Sequence, residues 1–229
     1  MSRPDVPRRL AALYEGRALQ GYVRWKARVD PAYSAVLEQL RGHTEPVLDL
    51  GCGIGLLAFY LREHGYAGPI VGVDFDQRKI DVARRAATRY RGIDFIAGDA
   101  RDPFPDGHNV VILDILQYFD AESQQRILAS AAAAVPPGGV VIIRQGIRDA
   151  SWRHRFTLIV DTVARNLRWM KAEAERLRFP SREEIEAPFA GFDAEVASLW
   201  GNMPYNNYLF VFRQTASSVT PPATARPAE

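Results

Sequence analysis

The chain has 229 residues, of which 47% are hydrophobic, 10% aromatic and 24% charged. This composition and length suit roughly one globular domain and exclude a mostly disordered or fibrous chain. The lone Cys52 excludes an intrachain disulfide and a cysteine-built metal site, and a net charge of +2 is too small to point to nucleic acid.

The N-terminal stretch MSRPDVPRRL is basic, but no apolar stretch of signal-peptide type follows it. The first dozen residues read as loose, and residues 1–34 as a helical arm. Within the arm, Gly21–Pro31 is dense in aromatics and cations, and Tyr22 and Lys26 share a face of a helix. Apolar runs bounded by Gly, Pro or Asp predict buried strands at 46–50, 69–73, 93–96, 109–114 and 139–144. Helical patterns at 54–64, 77–90 and 121–134 separate them, the last stopped by Pro136-Pro137-Gly138-Gly139. Strand and helix in alternation predict an α/β fold with a parallel sheet covered on both faces. The longest apolar run, 110–116, is broken by Asp114 and is far shorter than the about 20 residues of a membrane span. No membrane span and a cytoplasmic location are therefore the default expectation.

A long helix is expected at 156–176. Ser181 to Glu184 reads as a capping box, and 192–199 with 207–212 as an added antiparallel pair. One domain would fill 35–213, with small lid elements around 151–190. The tail 214–229, rich in Pro, Ala, Ser and Thr, is expected to be disordered.

The sharpest local feature is Val47 to Gly55, a buried strand that runs into three glycines and then a helix. Glycines allow a tight turn and close approach of backbone to a ligand, and the helix start offers free N–H groups. Gly53 to Ala58 also fits the dinucleotide pattern G-x-G-x-x-A. Asp49, just before the glycines, would repel a pyrophosphate and attract the α-amino group of a methionine moiety. Asp74 ends the second strand where a ribose would sit, and Asp99 follows the third, where an exocyclic adenine amine is a natural donor to it.

The ordered set DLGCGIG (49–55), GVDFD (72–76), GDARD (98–102), VVILDILQYF (110–119) and PPGGVVIIR (136–144) resembles class I S-adenosylmethionine-dependent methyltransferases over about residues 45–145. The resemblance implies a Rossmann-like seven-stranded sheet ending in a C-terminal antiparallel hairpin, with S-adenosyl-L-methionine as cofactor and no metal. It implies that Asp49, Gly51, Gly53 and Gly55 hold the methionine end and that Asp74 takes the ribose hydroxyls. Phe75 would flank the adenine, Asp99 and Ala100 would bind its edge, and Asp114 and Leu116 would line the methyl-transfer site. The segment before the first strand commonly folds over the cofactor in this superfamily. Tyr22 and Lys26 are expected to cap the methionine end, Lys26 pairing with its carboxylate; a solvated basic helix is the plainer alternative.

Methyl transfer from a sulfonium needs alignment above all, and a phenol or activated carbon acceptor also benefits from a base. The candidates are Asp114 and Tyr118 after the fourth strand, Arg144 ending the fifth, and His154, the only histidine placed to act as a base. Residues 144–182 carry ten Lys and Arg against four acids, a charge of +6 beside the expected acceptor site, with −4 over the remainder. A solvated helix face explains such a run; an anionic substrate or an acidic carrier protein is the functional alternative. A narrower set of motifs in the arm, at 113–119, at 151–153 and at 201–209 resembles methyltransferases of bacterial aryl-polyene and related pigment pathways. That implies a small-molecule or carrier-bound aromatic or acyl acceptor. An RNA or protein methyltransferase, a non-catalytic cofactor-binding subunit and a nicotinamide-dependent reductase are the alternatives; nucleic acid is disfavoured because no Asn/Asp-Pro-Pro-Tyr-type motif follows the fourth strand.

Overall fold

The computed structural model describes residues 5–148, 177–200 and 206–215. Three helices precede the sheet: α1 (Val6–Ala11), α2 (Arg17–Val29) and α3 (Pro31–Gln39). The expectation that the first dozen residues are loose is corrected here. Leu10 and Ala11 are buried and Arg9 pairs with Glu63 at 2.6 Å. A six-residue helix is too short to show a period, so its docking was not readable from the pattern. The arm also runs past its expected end at residue 34, because α3 crosses that position. Asp30 makes the corner: it follows the last turn of α2, and its carboxylate accepts from the Ala32 N–H at 3.0 Å to cap α3, with Pro31 in the first turn.

The sheet contains β1 (Val47–Leu50), β2 (Ile70–Asp74), β3 (Ile93–Ala97), β4 (Asn109–Leu113), β5 (Val140–Gly146), β6 (Asp193–Ser198) and β7 (Asn207–Arg213), in the order β3-β2-β1-β4-β5-β7-β6. The first five strands are parallel, and β7 runs antiparallel between β5 and β6. This is the predicted α/β sheet with its C-terminal hairpin. The strand order reverses beside β1, where Asp49 is level with Gly72 of β2 and with Val111 of β4. The carboxyl ends of β1 and β4 therefore flank a crevice, the usual ligand position in open α/β sheets.

Helices α4 (Leu56–Glu63) and α5 (Gln77–Ala87) cover one face together with the arm. Helix α6 (Ala121–Ala134) and the short α7 (Arg182–Glu186) cover the other. Val111 and Ile142 point into the first core, and Val110, Ile112 and Ile143 into the second. Burial on both sides is why these strands read as continuous apolar runs rather than alternating ones. The expected capping box at Ser181 and Glu184 is present in both directions. The long helix expected at 156–176, residues 151–176 of the expected lid elements, and most of the tail lie outside the described residues.

Candidate active site

Two chain turns build the carboxyl edge of the sheet. In the first, Gly51, Gly53 and Gly55 all have positive φ (74°, 57° and 80°), which an L side chain adopts only with strain. A Cβ on Gly51 would lie 2.3 Å from Ile115 Cγ2, and one on Gly55 2.4 Å from Phe95 Cζ. The three glycines let β1 turn abruptly into α4, so α4 begins at Leu56 rather than at 54. The arm grips this turn from outside, because the buried Tyr14 hydroxyl donates to the Ile54 carbonyl at 3.0 Å. Burial above all holds the Tyr14 phenol well above its ordinary pKa, so it stays a donor. Gly51→Ala is expected to combine positive-φ strain with the clash at Ile115, destabilising by about 2–4 kcal/mol. Thermal melting would measure it.

Two acids lie beneath the turn. Asp49 is 2% exposed, and its Oδ2 has no hydrogen-bond partner. Burial, and then the neighbouring Asp74 carboxylate, push Asp49 up to about 7. Asp74 is itself buried; one oxygen accepts from Gly53 N and the other from Asp76 N, each at 2.9 Å. A carboxylate oxygen has more than one lone pair, so Asp74 retains capacity for hydroxyl donors. Phe75 follows, itself 54% exposed, with Lys79 Nζ 5.9 Å from its ring centre. Asp99 and Ala100 stand at the end of β3. Asp99 is bound by the Arg101 guanidinium, whose hydrogen bonds hold its carboxyl below the usual range.

The second turn follows β4. Asp114 has φ 56°, the one positive value at a non-glycine among the described residues, so the strand stops at Leu113, one residue before its expected end. Asp114 N donates to the Arg144 carbonyl at 2.9 Å, and Arg144 Nη2 donates back to the Asp114 carboxylate. Arg144 Nη1 donates to Asp30 Oδ1 at 2.5 Å, and Lys26 Nζ to Asp30 Oδ2 at 2.9 Å. Lys26, Asp30, Arg144 and Asp114 thus alternate in charge from the arm to the tip of β4. Lys26, expected at a ligand carboxylate, lies at Asp30; Arg144, the candidate ending the fifth strand, is shared between two aspartates. Tyr22, one turn before Lys26, is 44% exposed.

Buried glutamines lock the same turn. Gln145 accepts from Leu116 N at 3.2 Å and donates to Gln117 Oε1 at 2.8 Å, while Gln117 donates to the Asp114 carbonyl at 2.9 Å. Gln124 on α6 donates to the carbonyls of Leu116, Phe119 and Arg178. Leu116 is consequently buried and Tyr118 half-buried. The structure gathers Asp49, the glycines and Asp74 in one group, and Asp114, Arg144 and Lys26 in another. His154 lies outside the described residues. Asp30, Tyr14 and Gln124 were not singled out from the sequence. Asp30-Pro31 did carry a readable helix-cap signal, though nothing in it pointed to Arg144.

Residues 47–139 match the family model of a methyltransferase domain. Over that segment the chain resembles S-adenosylmethionine-dependent methyltransferases. The chain is similar to ribosomal protein L11 methyltransferase of Burkholderia cenocepacia, 36% identical over 81 residues, which are 35% of this chain and 26% of that protein. It is 45% identical over 67 residues to the chloroplastic 2-phytyl-1,4-beta-naphthoquinone methyltransferase of Arabidopsis thaliana, 26% of each chain. The chain thus spans about a quarter of the length of these curated relatives. Among solved structures, magnesium protoporphyrin IX methyltransferase of Synechocystis with bound S-adenosylhomocysteine superposes with a TM-score of 0.64 at 17% identity. That match covers 92% of this chain and 93% of the other. The shared fold extends through the arm and the C-terminal hairpin, well beyond the segment that the family model matches. Among the described residues, no helix is long and apolar enough to cross a membrane, and no group of His, Cys, Asp and Glu could hold a metal ion.

Proposed function

We propose that this chain moves a methyl group from S-adenosylmethionine to a small-molecule acceptor at the tip of β4. The observation that carries the reading is the buried Asp49 oxygen with no partner beneath a turn of three left-handed glycines. A buried carboxylate without a partner is costly unless a cation or donor meets it, and an amino-acid ammonium is such a group. The left-handed glycine turn, with open space beside Gly53, fits the methionine end, and the remaining lone pairs of Asp74 fit ribose hydroxyls. When bound, S-adenosylmethionine supplies a methyl group activated by its sulfonium.

The residues of the chain bind and align. Asp49 holds the ammonium, and the exposed face of Phe75 gives the adenine a surface. Asp114 borders the acceptor side with a carboxylate that is one-third exposed. A carboxylate there favours an acceptor that presents an O–H or N–H to it. Arg144 is already neutralised by two carboxylates, so it offers no free charge to an anionic acceptor. The names of the naphthoquinone and protoporphyrin enzymes support a flat small molecule; a carrier-bound aromatic acid is a variant of the same reading. The L11 relative favours a protein acceptor as the second reading.

The test is transfer of a labelled methyl group from S-adenosylmethionine to separate pools of phenols and aromatic acids, amines, carrier-bound acids, ribosomal protein and RNA. Label in a small-molecule or carrier-bound pool is the expected result; label confined to protein or RNA overturns the small-molecule reading. Titration with S-adenosylhomocysteine and with NAD checks the cofactor separately, and tighter binding of NAD overturns that part.

A further inference from the structure

Helix α2 carries two apolar stripes. Leu19, Val23 and Ala27, four apart, pack inward with α1 and α4. Ala18, Tyr22, Trp25 and Val29 recur at intervals of four, three and four, so at 3.6 residues per turn they form a second stripe only about 60° wide. It faces water: Tyr22, Trp25 and Val29 are 44%, 54% and 42% exposed, and Ala18 is exposed too. Three of the five large apolar side chains exposed among the described residues thus stand in one line on one helix. The flank of this line is basic. Arg17, Arg24 and Arg28 each precede a stripe residue by one, which sets them roughly a quarter to a third of a turn round the helix. The helix holds four cations and no acid, and Asp5, on the same flank, is shared between Arg8 and Arg28. We propose that this face of α2 seats the protein on an anionic lipid surface.

A helix lies in a lipid interface when a narrow apolar ridge is bordered by cations. Trp and Tyr suit the headgroup boundary, because each joins an apolar ring to a polar tip. Arginine stems lie along the apolar surface while their guanidiniums stay at the phosphates. Shape favours lipid over a protein partner. The ridge is convex and one helix wide, so a folded partner covers little of it, whereas lipid closes round it from both sides. Pairing with an antiparallel second copy sets arginine flank against arginine flank, which costs energy. The inner stripe fixes α2 to the core, so the outer one is held ready without rearrangement. Val29 is followed by Asp30, which bonds Arg144, so a docked protein has that end of the site beside the lipid.

The test is co-sedimentation of the full chain with vesicles of phosphatidylcholine alone and of phosphatidylcholine mixed with phosphatidylglycerol. Partitioning onto the mixed vesicles is expected to be about tenfold stronger, and to fall about tenfold when Trp25→Ser is combined with Val29→Ser. Arg17→Gln with Arg24→Gln keeps the stripe and is expected to lose about fivefold or more. These four side chains are exposed, so the variants should melt with the parent. Without any substitution, nitroxide-labelled lipid should quench the tryptophan emission of the parent, and Trp25→Ser should remove most of that quenching. A parent that does not partition overturns the proposal, as does partitioning that the stripe variant leaves unchanged. Equal partitioning onto both vesicle types overturns the choice of an anionic surface. A parent dimer in sedimentation velocity that the stripe variant dissociates would give the stripe to a second copy and overturn it too. None of these measurements uses S-adenosylmethionine, so the proposed reaction stands or falls separately.

Discussion

Asp49→Asn is expected to make the cofactor-free protein more stable and the cofactor weaker. Asp49 ionises near 3.8 in the unfolded chain and at about 7 in the fold, because burial and then Asp74 disfavour its charge. Between these values the folded state keeps a proton that the unfolded state has released, so stability falls as pH rises from about 4 to about 7. Above that window the loss is complete, at about 4 kcal/mol for a shift of this size. Asn has no charge to lose, so at pH 8 the variant is expected to melt roughly 10 °C higher than the parent. The difference should shrink as the buffer approaches pH 4. Binding should move the opposite way. The parent's affinity for S-adenosylhomocysteine is expected to rise with pH up to about 7, as the carboxylate forms to meet the ammonium. The variant should lose at least thirtyfold, in line with about 2–5 kcal/mol for truncating one member of a buried charge pair. An Asn variant that binds as tightly as the parent would remove Asp49 from the site.

Arg144→Met is expected to produce the largest loss of stability. It removes the cation between two carboxylates and leaves Asp30 buried with Lys26 alone. Breaking a buried pair on one side costs about 3–5 kcal/mol, which corresponds to a fall of roughly 10 °C in a chain of this size. Arg144→Lys retains the charge but not the fork and should fall in between. Acid separates this effect from a packing defect. Burial alone would raise Asp30, but Arg144 and then Lys26 outweigh it and hold its carboxyl below the ordinary value. The stability that Asp30 contributes is therefore present above about pH 4 and lost as pH falls toward its folded value. The gap between parent and Arg144→Met should narrow below pH 4, as measured by denaturant unfolding across pH; a packing defect would leave it constant.

The sheet was legible because buried strands and glycine turns leave local marks. Val110 to Leu113 is apolar throughout because both faces are covered, and positions 51, 53 and 55 accept little but glycine because all three are left-handed. Asp49 and Asp74 could be placed by their positions at strand ends. The acceptor end was less legible, because its defining contact joins residues 114 apart in the chain. No local period marks Asp30 as a partner of Arg144, and a charged residue finishing an apolar strand reads as one that reaches outward. The partners of the glutamines were hidden for a related reason. Buried amides such as Gln117 and Gln145 match a surface composition, and only the packed loop supplies their partners.

The left-handed backbone at Asp114 narrows what that position can accept. The conformation suits Gly, Asn and Asp among the twenty residues, while the facing guanidinium asks for an anion. Asp alone meets both demands, so folding and electrostatics select the same side chain independently of any chemistry done there. Asn satisfies the backbone without the charge, and Glu satisfies the charge without the backbone. The two substitutions therefore divide the shape of the β4 tip from its polarity at one position.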